Sequence, residues 1–228
     1  METVTAIVLA AGAGKRMNSP VHKQYMKLAG KPVLYYALRA FEESAVTRIV
    51  IVVAAGEVEY CRAEIVDRYA FGKVSAVVEG GKERCHSVYQ GLLAAPGTDY
   101  VLIHDGARPF VTEDMIVRSV EAAKRDQACV VGMPVKDTIK VVGPDGFAIE
   151  TPDRSMLWQM QTPQTFFYPL IRDAYETVMK SGDDAVTDDA MVLERATGQR
   201  ARIIEGSYRN IKITTPEDLL TAEAYLKK

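Results

Sequence analysis

Five apolar runs recur in the first 135 residues: "TAIVLA" (5–10), "RIVIVVA" (48–54), "KVSAVVEG" (73–80), "DYVLIHDG" (99–106) and "ACVVGMPV" (128–135). Runs of Val and Ile without polar alternation fit strands buried on both faces, and such strands need helices above and below them. The segments between them carry helical spacing: "KPVLYYALRAFEES" (31–44), "EVEYCRAEIVDRYA" (57–70), "ERCHSVYQGLLAA" (83–95) and "EDMIVRSVEAAKRD" (113–126), with Thr112 placed to cap the last. This alternation predicts an α/β fold with a Rossmann-like, doubly wound, mostly parallel sheet. Ligands in such sheets sit beyond the carboxyl ends of the strands. That rule gathers three segments at one rim: the loop at 10–16, "EGGKER" (79–84) and "HDGARP" (104–109).

The pattern changes after residue 135. "KDTIKVVGPDGFAIETP" (136–152) reads as two short alternating segments around a Gly-Pro-Asp-Gly turn, a hairpin signal. Such a hairpin is too small to stand alone. It leans either on another subunit or on the edge of its own sheet. "SMLWQMQTPQTF" (155–166) returns to the core, and helical patterns follow at 168–181 and 188–197. "ARIIEG" (201–206) and "NIKIT" (210–214) read as strands, and Thr215-Pro216-Glu217-Asp218 opens a last helix in the manner of a capping box. With no repeat and no linker, the reading is one domain over 1–228 with an arm at about 136–157.

Charge and cysteine usage narrow the function classes. A net charge of −2 gives no general attraction to nucleic acid or membrane. No apolar run approaches the ~18–20 residues of a membrane helix. The basic residues follow the N-terminal apolar stretch instead of preceding it, unlike a signal peptide. Cys61, Cys85 and Cys129 form no CxxC pair, which fits free thiols in a reducing compartment. A cytoplasmic location is expected.

The first loop lacks GxxxxGK[ST], and Met17 breaks GxGxxG, so neither a P-loop nor a dinucleotide fingerprint is present. Ala10, Ala11, Gly12 and Gly14 would still let backbone N–H groups approach a phosphate, and Lys15, Arg16 and Lys23 add charge on the same excursion. The alternative is a tight turn with solvated bases. Asp105, at the end of a strand, could hold Mg²⁺ beside a triphosphate or simply cap its turn. The Gly-Ala turn after it would expose Arg108, and His104 reads as a structural group. Arg84 and Ser87 share one face of a new helix behind Gly81, a place suited to a nucleobase edge or a phosphate. Cys85 and His86 are helix neighbours pointing apart, hence no catalytic pair. Lys212 lies in a short apolar strand. The acid pairs at 183–184 and 188–189 read as helix-entry and surface charge.

Taken in order, "LAAGAGKRM…KQY", "EGGKERCHS", "HDGARPF", "VKDTIK", "TPDRSMLWQMQTPQ", "TDDA" and "NIKITTPEDL" resemble the nucleotidyltransferases that activate sugar and polyol phosphates. Within that group the chain is similar to the 2-C-methyl-D-erythritol 4-phosphate cytidylyltransferase family of the non-mevalonate isoprenoid pathway, from Thr5 to Leu226. The resemblance implies cytidylyl transfer from CTP to the polyol phosphate with release of pyrophosphate, a divalent cation such as Mg²⁺, and a homodimer formed by arm exchange. It implies that Ala10, Ala11, Gly12, Gly14, Lys15, Gly81, Arg84, Ser87 and Asp105 bind the nucleotide, with Asp105 facing the metal. Arg16 and Lys23 would neutralise the transition state. Arg108 and Lys212 would hold the acceptor, joined by Thr138 and Arg154 from the neighbouring subunit's arm. Lys82 and Tyr208-Arg209 depart from the family pattern, and no fused cyclase is expected. Ribitol 5-phosphate cytidylyltransferase is the nearest alternative. A non-catalytic nucleotide-binding regulator is a second, and an NAD-dependent dehydrogenase is disfavoured by Met17.

Overall fold

The computed structural model describes residues 2–12, 14, 17, 22–182 and 185–227, so Lys15, Arg16 and the acids at 183–184 lie outside the described residues. β1 (Val4–Ala10) is followed by a 3-10 turn (Lys23–Tyr25), a minimal pairing of β2 (Lys27–Leu28) with β3 (Lys31–Pro32), and α1 (Val33–Glu43). β4 (Arg48–Val53) leads to α2 (Val58–Cys61), which continues as a π-helical stretch, Arg62–Asp67. β5 (Val74–Glu79), α3 (Arg84–Leu93), β6 (Tyr100–Asp105), α4 (Glu113–Asp126) and β7 (Ala128–Pro134) complete the alternation. The hairpin of β8 (Val141–Val142) and β9 (Ala148–Glu150) comes next. β10 (Trp158–Phe167), α5 (Tyr168–Ser181), α6 (Asp189–Thr197), β11 (Arg202–Glu205) and α7 (Pro216–Leu226) end the described chain.

Among the described residues the main sheet has seven strands in the order β11-β7-β10-β6-β1-β4-β5. β10 runs antiparallel to β6 and β7, and the other neighbours pair in parallel. Both faces are covered, as the unbroken apolar runs require. Ala6, Val8 and Ala10 of β1 pack with Leu34, Leu38 and Phe41 of α1 and Ile116 of α4. Ile7 packs on the opposite face with Val88 and Leu92 of α3, Ile171 and Tyr175 of α5, and Leu193 of α6. Each Val, Leu or Ile side chain buried this fully contributes about 1.5–3 kcal/mol.

From β1 the chain first builds outward through β4 and β5, then returns to lay β6 on the other side of β1. That reversal is the topological switch point where such sheets bind ligands. Leu9 pairs with Asp105 there, so the loop leaving β1 and the turn leaving β6 start side by side. No helix among the described residues is long and apolar enough to cross a membrane.

One predicted strand does not form. The 210–214 segment makes no ladder; Ile211 N–H donates to Arg209 O and Ile213 N–H to Ala107 O. The Ile213 bond pins it to the turn after β6, and its apolar residues pack with Leu28 of β2 and with Leu219 and Ala222 of α7 without joining a ladder. The end caps are as read: Thr112 accepts from Met115 N–H, and Thr215 with Asp218 completes a capping box.

Candidate functional site

The three rim segments converge on one pocket of about 340 Å³, lined by Leu9–Gly12, Lys23, Gln24, Gly81–Arg84, Ser87, Asp105, Ala107 and Lys212. Its floor is Asp105. The carboxylate lies 2.9 Å from Lys212 Nζ, 3.6 Å from Arg84 Nε and 3.7 Å from Arg108 Nε. Burial alone would push this carboxyl's pKa up; the three cations overcome that and hold it well below the usual carboxylate range.

The residues around Asp105 are held in turn. Its N–H donates to Thr162 Oγ1 (3.1 Å), and that hydroxyl lies 3.0 Å from His104 Nδ1. His104 Nε2 sits 3.1 Å from Arg108 O. Neutral His104 with its proton on Nε2 satisfies every group in this chain: it donates to the carbonyl and accepts from Thr162. Burial pushes the imidazole down to about 4, in keeping with that neutral form. His104 is therefore structural, as its place at a strand end implied. Arg108 is half-buried rather than exposed, with one guanidinium nitrogen donating to Asn210 O at 2.7 Å. Asn210 is fully buried and donates to Thr162 O (2.9 Å), so the irregular segment carrying Lys212 is fixed to β10 at the pocket edge.

Arg84 is bidentate to Asp189, at 2.8 Å and 2.7 Å. Asp189 is fully buried, so its reading as surface charge is corrected: a carboxylate at a helix entry was drawn inward by an arginine distant in the chain. Tyr175 donates its hydroxyl to Asp189 at 2.5 Å, and Gln164 Oε1 accepts the N–H groups of Asp189 and Ala190. Asp188 does cap α6, as read. Both terminal nitrogens of Arg84 are thus engaged on Asp189, leaving Nε towards Asp105.

The glycine-rich segments fit by close approach. A Cβ at Gly80 would fall 2.6 Å from Ser87 Oγ and 2.8 Å from Ala11 Cβ. Ser87 Oγ accepts from Gly81 N–H at 3.2 Å. Gly14, at φ +60°, lies against the Lys23 side-chain stem. Gln24, absent from the sequence reading, donates to Ala10 O at 2.5 Å and ties the return of the loop to the end of β1. Cys85 Sγ and His86 Nδ1 do approach, to 3.6 Å, but the thiol is buried in the core.

Two smaller cavities extend the pocket past Lys212, which lines all three. One of about 140 Å³ adds Thr162, Gln164, Thr187 and Asp188; one of about 330 Å³ adds Gln159, Tyr208 and Asn210. Thr138 and Arg154 line none of these cavities. Thr138 is exposed, and Arg154 donates to Lys136 O within the arm. Lys82 lines the nucleotide-sized pocket, whereas Arg209 donates to Tyr225 O and stacks on that ring.

A cationic pocket at the switch point of a mostly parallel sheet, with small-residue loops above a buried carboxylate, defines an α/β nucleotidyltransferase-like protein. A family model described as IspD: 2-C-methyl-D-erythritol 4-phosphate cytidylyltransferase matches residues 4–228, and the chain belongs to that family. A 2-C-methyl-D-erythritol 4-phosphate cytidylyltransferase of Lachnoclostridium phytofermentans is 50% identical over 228 residues, spanning 100% of this chain and 98% of the relative. One from Geobacter metallireducens is 48% identical over 230 residues, spanning 99% and 98%. The crystal structure of 4-diphosphocytidyl-2C-methyl-D-erythritol synthase from Anaerococcus prevotii superposes with a TM-score of 0.87 at 33% identity, covering 100% of this chain and 97% of that one.

Proposed function

We propose that this pocket transfers the cytidylyl group of CTP to 2-C-methyl-D-erythritol 4-phosphate, giving 4-diphosphocytidyl-2-C-methyl-D-erythritol and pyrophosphate in isoprenoid precursor synthesis. The observation that carries the site assignment is the convergence of Lys212, Arg84 and Arg108 on buried Asp105 beneath the loop leaving β1. An oxygen of the acceptor phosphate attacks the α-phosphorus, and the bond to the bridging oxygen of the β-phosphate breaks. Such a displacement needs no protein nucleophile; positioning and charge neutralisation suffice.

Backbone N–H groups around Ala10, Ala11, Gly12 and Gly14 meet the triphosphate in this reading, with Lys23 beside them. Arg16 and Lys15 join them by family resemblance. Gly81 and Ser87 shape the cytidine end. Arg84 acts mainly through its charge, because Asp189 occupies its fork. Lys212, shared by all three cavities, orients the acceptor phosphate together with Arg108.

The donor set fits Mg²⁺ held largely by substrate. Among the described residues no cluster of three His, Cys, Asp or Glu forms, and Mg²⁺ commonly uses one or two carboxylates plus phosphate oxygens. Asp105 is the carboxylate that would hold it, and the ion would neutralise phosphate charge. Thr138 and Arg154 serve a neighbouring subunit's pocket in a homodimer, a reading supported by their absence from the lining of this chain's own cavities and by the exposed apolar side chains of the arm. Three free, buried thiols support a cytoplasmic location.

Pyrophosphate release with CTP and Mg²⁺ tests the whole reading. Release with methylerythritol phosphate and not with ribitol 5-phosphate is expected. Release with ribitol 5-phosphate alone would overturn the acceptor, and release with neither would overturn catalysis in favour of a binding protein.

A further inference from the structure

The 3-10 turn Lys23–Tyr25 delivers Lys23 and Gln24 to the pocket, and it is gripped from behind by one carboxylate on another loop. Glu57, just before α2, does not line the pocket. Its Oε2 accepts from Tyr25 Oη at 3.0 Å, and its Oε1 lies 2.6 Å from His22 Nδ1. Tyr25, which is hydrogen-bonded to this carboxylate, directly follows Gln24, and His22, which lies in contact with it, directly precedes Lys23. Tyr25 is buried, its ring edge-on to Tyr60 with centroids 5.0 Å apart. Burial, aided by neighbouring Cys61 and Glu57, pushes the Tyr25 hydroxyl well above its usual range, so it remains a donor. On the pocket side the same turn is tied down by Gln24 to Ala10 O.

We infer that Glu57 is a positioning residue for the transfer reaction: by accepting from Tyr25 and lying against His22 it fixes the turn that carries Lys23. The inference rests on the reading of Lys23 as a phosphate-neutralising residue. A lysine contributes to a transition state only where its turn is pre-set, since a displacement of about 1 Å can cost up to ~100-fold in rate. The effect therefore falls on kcat more than on either KM.

The test compares Glu57→Ala, Glu57→Gln, Lys23→Ala and the double variant Lys23→Ala/Glu57→Ala by steady-state pyrophosphate release, with melting temperatures alongside. Glu57→Ala is expected to lower kcat about tenfold to 100-fold, with both KM values within about threefold. Glu57→Gln, which can still accept from Tyr25, recovers most of that loss. The double variant matches Lys23→Ala, because Glu57 acts through Lys23. Tyr25→Phe removes one of the two contacts while keeping the ring, and loses a smaller factor that adds nothing on top of Glu57→Ala. A collapse of Lys23→Ala beside wild-type kcat in Glu57→Ala would overturn the clamp alone. So would equal losses from Glu57→Ala with and without Lys23. Normal turnover in Lys23→Ala would remove the reading of Lys23 and the clamp with it.

Discussion

The Asp105 cluster and the β8–β9 arm sit on one chain and are built on opposite principles. Around Asp105 every charged group has partners within the same chain, and several partners are themselves buried: Asp189, Asn210, Thr162 and His104. The strand ladder of the arm joins just Val141 with Glu150 and Val142 with Ala148, and its apolar side chains are exposed. Phe147 is 75% exposed, Ile149 71% and Met156 79%. A two-stranded ribbon of this kind is marginal in water. One region is thus completed by its own fold. The other leaves its apolar side chains exposed, and in the proposed assembly a second subunit covers them, so that arm and pocket belong to two subunits.

The largest way to break this contrast is to empty the buried end of the cluster. Asp189→Ala leaves Arg84 without its bidentate partner, and removing one side of a buried pair costs about 3–5 kcal/mol. Urea unfolding should show that loss; a change under about 1 kcal/mol would mean that the pair is not a structural anchor. Lys212→Ala should leave stability nearly intact, because Arg84 and Arg108 still face Asp105. Its kcat should fall by about 10²–10³, the scale of losing one pre-set electrostatic contact. Turnover close to wild type would remove Lys212 from the mechanism.

The pH response sharpens the same contrast. His104 is neutral when folded, with its pKa depressed from 6.5 to about 4. Between those values the unfolded chain takes up a proton that the folded chain refuses. Stability is therefore full above pH 6.5 and declines as pH falls towards 4, by about 3 kcal/mol over the window. Unfolding curves at pH 7.5 and 4.5 check this, and equal stability at both would contradict the neutral, buried His104. The smallest effect belongs to the arm. Phe147→Ser should change single-chain stability by less than about 0.5 kcal/mol, as for an exposed site. Sedimentation should nonetheless show a shift towards monomer.

The alternation of strand and helix was legible because buried parallel strands leave unbroken apolar runs. The rim was legible because topology puts loops such as "AAGAG" and the turn after Asp105 at one end of those strands. The direction of β10 was not, since apolar content carries no strand polarity. The 210–214 segment read as a strand because its alternation is real, although what it serves is packing against α7 and a single bond to Ala107 O. Asp189, Gln24, Gln164 and Glu57 escaped for a shared reason. Each acts through a partner on another element, and for Asp189 that partner is 105 residues away. Only the charge of Arg84, which has to be answered somewhere, hinted at it.

Mixing two crippled variants tests most directly whether pocket and arm come from different chains. Lys212→Ala carries a defective pocket and an intact arm; Arg154→Ala carries the reverse. If one chain's arm completes its partner's pocket, each mixed dimer holds one complete site. An equimolar mixture allowed to exchange subunits should then recover about a quarter of wild-type pyrophosphate release. A mixture no more active than the sum of its parts would contradict the two-subunit site and return the arm to the edge of its own fold.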